Sequence, residues 1–416
     1  MRSQRTRWAV GGIALLSLSL SACGGSGFDD TDKADSQASS GPASIKVLIA
    51  SSGDAETKAV TDASNAWAAK SGNKATVTQA QDIGQQLGQG FASNNPPDVF
   101  YVDAARFATY ASAGSLEPYG DSFPGKSDFY PALRQAFTYD GKLYCVPKDF
   151  STLGLQINTT AWAKAGLTDA DIPTTWPQLA AVAKKLTTGK QVGLALGDTR
   201  DRIGAFMVQA GGWVTNKDAT KVTADSPENL KALNFVKSLL ADGSAKYPKQ
   251  LDSGWSGEAF GKQKAAMTIE GNWIAGAMKS DYPGVKYKTV PLPAGPTGKK
   301  GTLAFTQCWG IAAKSKHKAA ALDFVKAMTV KDNQLTFAKA IGVMPSRQSA
   351  QADYVAQFPQ DKAFIDGAAY AQAPVNVAKI DQVLADFDTG LQSLPGADPK
   401  QILARLQKNA QAVVGQ

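Results

Sequence analysis

Histidine is almost missing from this chain. His317 is the one histidine among 416 residues, and it lies in a lysine-rich run, residues 314–318 (KSKHK), which is typical of a solvated helix start. A Ser-His-Asp triad needs a histidine in a cleft, and a multi-histidine metal site needs several. The motifs G-x-S-x-G, H-E-x-x-H and G-x-x-x-x-G-K-[ST] are absent, and the glycines near Gly295 and Gly298 have the wrong spacing for a phosphate-binding loop. These absences argue against the common hydrolase, zinc and nucleotide-binding chemistries.

Cysteine is also scarce. The three cysteines form no C-x-x-C pair, which argues against a zinc or redox site. Cys145 and Cys308 lie far inside the chain and could form a disulfide if the protein folds outside the cytoplasm. The residues alone leave open whether these two are bonded or are buried thiols.

The N-terminus has the layout of a secretory signal peptide. Arg2, Arg5 and Arg7 precede an apolar run over residues 8–20, and small residues follow as far as Cys23. The run is too short to remain as a bilayer-spanning helix. Residues 20–23 (LSAC) resemble the bacterial lipobox, in which cleavage precedes the cysteine and its sulfur carries a diacylglycerol.

Lipidation of Cys23 would divide the N-terminal region into a signal peptide (residues 1–22) and a tether (residues 23–43). The tether is rich in Gly, Ser, Asp and Ala and has almost no large apolar residue, so we expect it to be disordered. The chain would then be anchored to the extracytoplasmic face of the cell membrane by lipid alone. The alternative is an ordinary signal peptide followed by an incidental cysteine.

The positive charge of the chain is modest and dispersed. The formal net charge is +8, and removing the three signal-peptide arginines leaves 8 − 3 = +5. The lysines are scattered rather than gathered in one basic run, which is a weak signal for nucleic acid. We therefore expect no nucleic-acid partner.

Beyond the tether, roughly 370 residues alternate between short apolar strands and helices, enough for two domains. Strands are predicted at residues 45–50, 75–78, 99–102, 143–146, 153–157, 193–196 and 266–269, with Pro147 breaking one strand from the next. Helices are predicted at residues 55–70, around Phe107 and Tyr110, from Trp176 to Leu186 with Thr175 as N-cap, at 203–210, 227–240, 318–328 and 334–339, and over most of the tail beyond Pro374. The β-α-β beginning predicts a parallel sheet and the α/β class, with two lobes.

Ligands of open α/β sheets collect at the carboxyl ends of strands. The polar groups that follow predicted strands are Asp103, residues 51–53 and residues 148–151. These groups are therefore candidates for ligand contact.

Six blocks of the chain resemble, in order, the extracellular solute-binding proteins of carbohydrate ABC importers, the family of the maltose-binding protein. The blocks are residues 97–101 (PDVFY) with Arg106 and Phe107, residues 141–144 (GKLY) with Pro147 and Asn158, residues 175–179 (TWPQL), residues 260–273 (FGKQKAAMTIEGNW), residues 309–318 (WGIAAKSKHK) and residues 342–347 (GVMPSR). The resemblance is distributed over most of the mature chain.

The resemblance implies a periplasmic-binding-protein-like fold of two α/β lobes, joined by crossing strands and closing on a sugar by hinge motion. Lobe 1 would comprise residues 44–146 plus 309–344, and lobe 2 residues 147–307 plus 345–416. Cys145 and Cys308 would then lie at lobe crossings in neighbouring strands, which favours a disulfide. The implied protein is a monomer without cofactor or metal. It binds a di- or oligosaccharide, delivers it to a permease and is not an enzyme.

A sugar site needs aromatic rings for the C–H faces and fixed polar groups for the hydroxyls. The resemblance assigns stacking to Trp273 and, with one gap in register, to Trp255 in a loop of small residues. The polar candidates are Asp103, Arg106, Asp149, Ser151, Asp201, Arg202, Glu270 and Asn272. Ser151 stands where the maltose-binding protein has a ligand-binding carboxylate, and no clear counterpart of the family's late cleft aromatic is found near Ile380.

Each candidate has a structural alternative. Trp273 could be a core tryptophan, Asp103 a helix N-cap, and Arg106 a member of a surface ion pair. Two other functions also stay open. A lipid-anchored glycoside hydrolase would need two cleft carboxylates flanking one bond, and a receptor of the same fold could bind a non-sugar solute such as a polyamine, which favours acidic cages.

Overall fold

The computed structural model describes residues 41–51 and 54–414. The predicted signal peptide, the lipidation site Cys23 and almost all of the predicted tether lie outside these residues. Among the helices that are described, none combines the length and apolar character needed to cross a membrane.

The strands follow the predicted α/β pattern. They are β1 (Ser44–Ile49), β2 (Lys74–Gln79), β3 (Val99–Asp103), β4 (Thr138–Tyr139), β5 (Lys142–Leu143), β6 (Pro147–Asn158), β7 (Val192–Ala195), β8 (Ala245–Lys246), β9 (Ala265–Gly271), β10 (Tyr287–Val290), β11 (Thr302–Ile311), β12 (Met344–Pro345) and β13 (Ala371–Gln372).

Helices separate most of the strands. They are α1 (Asp54–Ser71), α2 (Ile83–Ala92), α3 (Ala104–Ser112), α4 (Pro131–Ala136), α5 (Thr159–Lys164), α6 (Trp176–Leu186), α7 (Arg200–Ala210), α8 (Pro227–Ala241), α9 (Ser256–Gly261), α10 (Ile274–Ser280), α11 (Lys318–Met328), α12 (Lys331–Ile341), α13 (Gln351–Gln357), α14 (Lys362–Gly367), α15 (Asp381–Gln392) and α16 (Pro399–Gln411).

Local signals fix two helix ends as predicted. Thr175 caps α6, where its hydroxyl accepts from the Gln178 N–H and the Gln178 side chain accepts from the Thr175 N–H, which is a capping box. Helix α7 ends at Gly211, whose left-handed φ of 97° closes the helix. Both predicted ends are confirmed.

One sheet path runs through the molecule in the order β2-β1-β3-β11-β6-β9-β7-β8. Strands β1, β2 and β3 are parallel at one end, and β9, β7 and β8 are parallel at the other. Between them, β11 and β6 are antiparallel to each other and to their outer neighbours. The two long strands β6 and β11 therefore cross from one parallel sheet to the other.

The prediction that Pro147 separates two strands is wrong. Pro147 is the first residue of the twelve-residue strand β6, a position where a missing N–H is tolerated. Residues 144–146 form no strand, and β5 pairs with β4 in a small hairpin instead. Strand β6 is almost entirely buried because other strands pair with it on both edges. Its first half contains several polar residues, so the sequence does not show the apolar run that is typical of a buried strand.

Two large apolar cores lie on the two halves of this sheet path. The first draws on residues 45–146 and 308–337 together with Ala373. The second draws on residues 153–303 and 375–410. A third, smaller cluster includes Tyr130, Phe150, Met344 and Phe364, and it packs α14 against β6. The exact lobe boundaries, residues 44–146 plus 309–344 for lobe 1 and residues 147–307 plus 345–416 for lobe 2, stay a prediction.

Candidate ligand-binding site

The crossing strands bring three predicted site residues into register. Gln307 of β11 lies opposite Asp103 of β3 on one side and opposite Asp149 of β6 on the other. Phe305 lies opposite Ser151 of β6. Directly opposed residues of an antiparallel pair project to the same face. Asp103, Asp149 and Ser151 are therefore presented on one face of the sheet where the two halves meet.

Trp273 is the most exposed tryptophan of the described chain. It follows β9 and directly precedes α10, and 38% of its surface is exposed. Among described residues, only Trp273 and Val330 are large apolar side chains with such exposure. The ring lies against Gly271, where an added Cβ would fall 2.3 Å from a ring atom. Trp273 is thus a partly open aromatic surface rather than a core residue.

Glu270 and Arg202 hold the polar edge of Trp273. The indole Nε1–H donates to Glu270 Oε2 at 2.9 Å, and Arg202 donates to the same oxygen from Nη2 at 2.5 Å and from Nε at 3.2 Å. Ser256 Oγ donates to Glu270 Oε1 at 2.5 Å. The Arg202 guanidinium lies 5.1 Å from the Trp273 ring centre, within cation–π range.

Phe305 of β11 completes this aromatic cluster. Its ring meets Trp273 edge-on with centres 5.2 Å apart, and Arg202 lies 5.9 Å from its centre. Because Phe305 also lines a neighbouring cleft, it connects the Trp273 cluster to the polar groups there.

Asn272 and Ser151 are hydrogen-bonded to each other. Ser151 Oγ donates to Asn272 Oδ1 at 2.6 Å and accepts from the Asn272 backbone N–H at 3.2 Å. The Asn272 amide also donates to the carbonyl of Gly342 at the end of α12. Both side chains are buried, so these bonds fix the segment that leads into Trp273.

Trp255 lies at the edge of the Trp273 cluster. Its ring packs on Gly257 and joins a small cluster around Phe260, Ile274 and Met278. It remains partly exposed, and the adjoining Ser256 is the residue bonded to Glu270. Trp255 is therefore next in sequence to Ser256, which contacts Glu270, and its own ring lies at the periphery of the Trp273 cluster.

Asp149 belongs to a buried ionic network. Its carboxylate pairs with Lys148, whose Nζ also lies 3.1 Å from Glu56 Oε1 of α1. Tyr101 donates to Glu56 at 3.1 Å, and Lys148 lies 4.4 Å from the Tyr101 ring centre. Burial alone would lower the pKa of Lys148, but Asp149, Tyr101 and Glu56 together raise it. Lys148 is therefore a cation throughout the ordinary pH range.

Asp103 and Asp201 line a cleft of about 330 Å³ between α3 and α7. Asp103 also caps α3, accepting from the Ala105 N–H at 2.8 Å. Its side chain stays exposed, and partial desolvation by the surrounding cleft walls raises its pKa. Arg200 lines the same cleft and is held by Asp388 of α15.

Arg106 lines an adjoining cleft of about 500 Å³ with Arg200 and Asp381. Its guanidinium lies on Gly84 of α2, where an added Cβ would fall 1.5 Å from Nη1. The hydrogen bond with Tyr110 raises the pKa of Arg106, with burial acting against it. Arg106 is therefore a fixed cation at the rim of the cleft.

Comparison with known proteins identifies the family. Residues 46–366 match the model of the bacterial extracellular solute-binding proteins. The chain belongs to this family. Family membership places the mature solute-binding protein outside the cytoplasm.

One relative of this solute-binding protein is the diacetylchitobiose binding protein DasA of Streptomyces coelicolor. It is 27% identical over 359 residues, which cover 82% of this chain and 82% of the relative. The multiple sugar-binding protein of Streptococcus mutans is 26% identical over 284 residues, 61% of this chain and 63% of that protein.

Solved structures share the fold. The cyclic α-maltosyl-1,6-maltose binding protein of Arthrobacter globiformis has a TM-score of 0.80 at 23% identity, covering 90% of this chain and 100% of that one. MalE of Xanthomonas citri has a TM-score of 0.79 at 19% identity, covering 89% and 97%. The predicted two-lobe α/β fold is confirmed by these likenesses.

Sequence reasoning missed several groups at the site of this solute-binding protein. Phe305 and Arg200 carry no local motif, and the only signal for Lys148 is its place in the polar segment 148–151. Trp213 lines the Asp103 cleft as well, and its only signal was the preceding pair of glycines.

No group of three or more His, Cys, Asp or Glu side chains in the described residues could hold a metal.

Proposed function

We propose that this solute-binding protein captures a neutral di- or oligosaccharide between its lobes and delivers it to the permease of an ABC importer. The observation that carries the proposal is the partly open ring of Trp273, whose polar edge is already bonded to Glu270. What remains exposed is the apolar part of the indole, which suits the C–H face of a sugar.

The cleft that Phe305 shares with the Trp273 cluster contains groups that suit the hydroxyls of a sugar. Asp103, Asp201 and Arg106 lie in adjoining clefts and offer both acceptors and donors. The relative DasA is a diacetylchitobiose binding protein, and one neighbour of the same fold binds a cyclic maltosyl-maltose. These likenesses support an oligosaccharide rather than an amino acid or polyamine.

Reversible binding fits the carboxylates better than glycoside hydrolysis does. Hydrolysis needs one carboxyl group kept protonated as the acid and a second as nucleophile or base. Glu270 of β9 and Asp149 of β6 are each paired with a cation, Arg202 and Lys148. Because the chain also belongs to a family of solute-binding proteins, we propose that it is not an enzyme, and incubation with saccharides should release no product.

We also propose that the mature protein begins at a lipidated Cys23 and works as a monomer on the cell membrane. The support is the lipobox-like sequence over residues 20–23, together with a family that acts outside the cytoplasm. Cys23→Ser should release the protein into the medium or the soluble fraction. Persistent membrane association of that variant would contradict the lipid anchor.

A thermal-shift screen tests the sugar assignment. A ligand that binds only the native state stabilises it by about 2.7 kcal/mol at a hundredfold excess over Kd, which raises the melting temperature by a few degrees. Mono-, di- and oligosaccharides form the screen, with amino acids, polyamines and metal ions as controls. We expect hits among neutral di- or oligosaccharides, and a shift with polyamine or metal alone would remove the sugar assignment.

Two tryptophan variants separate binding from folding. Trp273→Ala should abolish the shift, because loss of a desolvated aromatic contact commonly costs about 2 kcal/mol or more. Trp309→Ala is the matched control. That ring is 1% exposed, so the variant should lose about 3–5 kcal/mol of folding free energy. If Trp273→Ala instead unfolds the protein and leaves affinity intact at low temperature, the site is misplaced.

A further inference from the structure

We propose that Glu270 is a positioning residue that fixes Trp273 and Arg202 and cancels the charge of Arg202, so that the stacking surface is offered to an uncharged sugar. Glu270 itself makes no contact with the ligand. The proposal rests on the proposed function, because the surface that Glu270 positions is the one assigned to the sugar.

Most of the hydrogen-bonding capacity of the Glu270 carboxylate is used within the protein. Its side chain is 1% exposed. A carboxylate offers about four acceptor positions, and four donor contacts reach this one, from Ser256, from Trp273 and twice from Arg202. Three of these contacts fall on Oε2 and one on Oε1, and burial closes the remaining position of Oε1 to a sugar hydroxyl.

The backbone of Glu270 is held as firmly as its side chain. Its N–H donates to Gln156 Oε1 at 2.9 Å, and its carbonyl accepts from Gln156 Nε2 at 3.2 Å. Gln156 is buried in the crossing strand β6. The carboxylate is therefore anchored to the part of the sheet that joins the two halves.

Glu270 determines where both partners lie. Trp273 is fixed at its Nε1 edge by Glu270 and on its ring by Gly271. Arg202 is held beside the Trp273 and Phe305 rings by two bonds to the same carboxylate oxygen. Without Glu270, neither the indole edge nor the guanidinium would have this anchor.

The ion pair between Arg202 and Glu270 determines whether the surface beside Trp273 favours neutral or anionic saccharides. A guanidinium without a partner beside an aromatic surface would attract a carboxylate or phosphate group of a ligand. Here Arg202 and Glu270 form a partly buried ion pair, so the surface beside Trp273 carries no net charge from them. The geometry therefore favours neutral over anionic saccharides.

Quenching of Trp273 fluorescence in the sugar-free protein tests the proposal. The Trp273 signal is the difference between each protein and the same protein carrying Trp273→Phe, and the quenchers are neutral acrylamide and anionic iodide. Glu270→Gln keeps an oxygen for the indole N–H but removes the charge, so iodide quenching should rise several-fold with acrylamide quenching nearly unchanged. Glu270→Ala should raise quenching by both.

Asp388→Asn is the matched control. It removes the carboxylate from a different ion pair, the one between Asp388 and Arg200, which lies in the cleft that Arg106 lines. It should leave both quenching constants of Trp273 as in the wild type. The proposal is overturned if Glu270→Gln leaves iodide quenching unchanged, or if Asp388→Asn raises it equally. Should Glu270→Ala not fold, Glu270→Gln decides alone.

No saccharide enters this assay, so the two proposals fail separately. Unchanged quenching would remove the role of Glu270 and leave the sugar assignment standing. A saccharide screen without a hit would remove the sugar assignment, whereas the quenching result would still report how Trp273 is held.

Discussion

Cys145 and Cys308 are bonded to each other in the structure, with their Cα atoms 5.8 Å apart. Cys145 lies two residues before β6, and Cys308 lies in β11, opposite Pro147. Both are buried in the first core. The bond therefore ties together the two crossing strands at the end where they leave that core, and the 163-residue separation encloses most of the second core.

We predict that the secreted protein contains this one disulfide intact and that Cys145→Ala/Cys308→Ala is much less stable. In the chain-entropy model, closing so long a loop stabilises by about 5 kcal/mol, and measured values are typically about 2–4 kcal/mol. Non-reducing mass spectrometry and urea unfolding check the two parts. Two alkylatable thiols in the native secreted protein would contradict the prediction.

Lys148→Met should destabilise the protein by about 3–5 kcal/mol, because it removes the cation from beside the buried Glu56 and the partly buried Asp149. The matched control is Lys264→Met. Lys264 pairs at 2.9 Å with Asp252, which is 91% exposed, and such a pair is worth about 1 kcal/mol or less. Urea unfolding of both variants measures the difference. Equal losses would show that the Lys148 network carries no special stability.

Much of the fold could be predicted because its signals are local. The strand at β1 is a run of buried apolar residues, Thr175 and Gln178 are three positions apart, and Gly211 directly ends α7. Strand β6 was harder, because its burial comes from neighbours on both sides rather than from an apolar sequence. The pairing of β6 with β11 depends on residues far apart in the chain, which periodicity does not reveal.

The sequence resemblance predicted candidate site residues but not which of them contact each other. Glu270 and Asn272 were selected because they flank Trp273, but their partners are remote, since Arg202 is 68 positions from Glu270 and Ser151 is 121 positions from Asn272. No local pattern indicates that the Glu270 carboxylate is buried and held by such contacts. Ligand contact by Asp103, Arg106, Asp201 and Trp255 stays a prediction.

Asp103→Asn should strengthen the sugar-free fold and weaken sugar binding. Asparagine caps a helix about as well as aspartate, so the bond to Ala105 is kept. Desolvation in the cleft raises the pKa of Asp103, which means that its charged form is disfavoured in the folded protein. The melting temperature should therefore rise at pH 7. Affinity should fall by about 1–2 kcal/mol, because a charge-assisted hydrogen bond to the sugar becomes a neutral one.

The sign of the pH dependence follows from the raised pKa of Asp103. A raised folded-state pKa makes the ionised wild type less stable than its neutral isostere at every pH above that pKa. The advantage of Asp103→Asn should therefore be complete at pH 7, shrink as the pH falls through the raised pKa, and vanish below about pH 4, the unfolded value. Melting curves of both proteins from pH 7 to pH 3.5 measure this, with the exposed Asp62→Asn as a control that should change little. An advantage that grows as the pH falls would show that Asp103 is stabilised as a carboxylate, and its assignment as a desolvated ligand group of the cleft would be wrong.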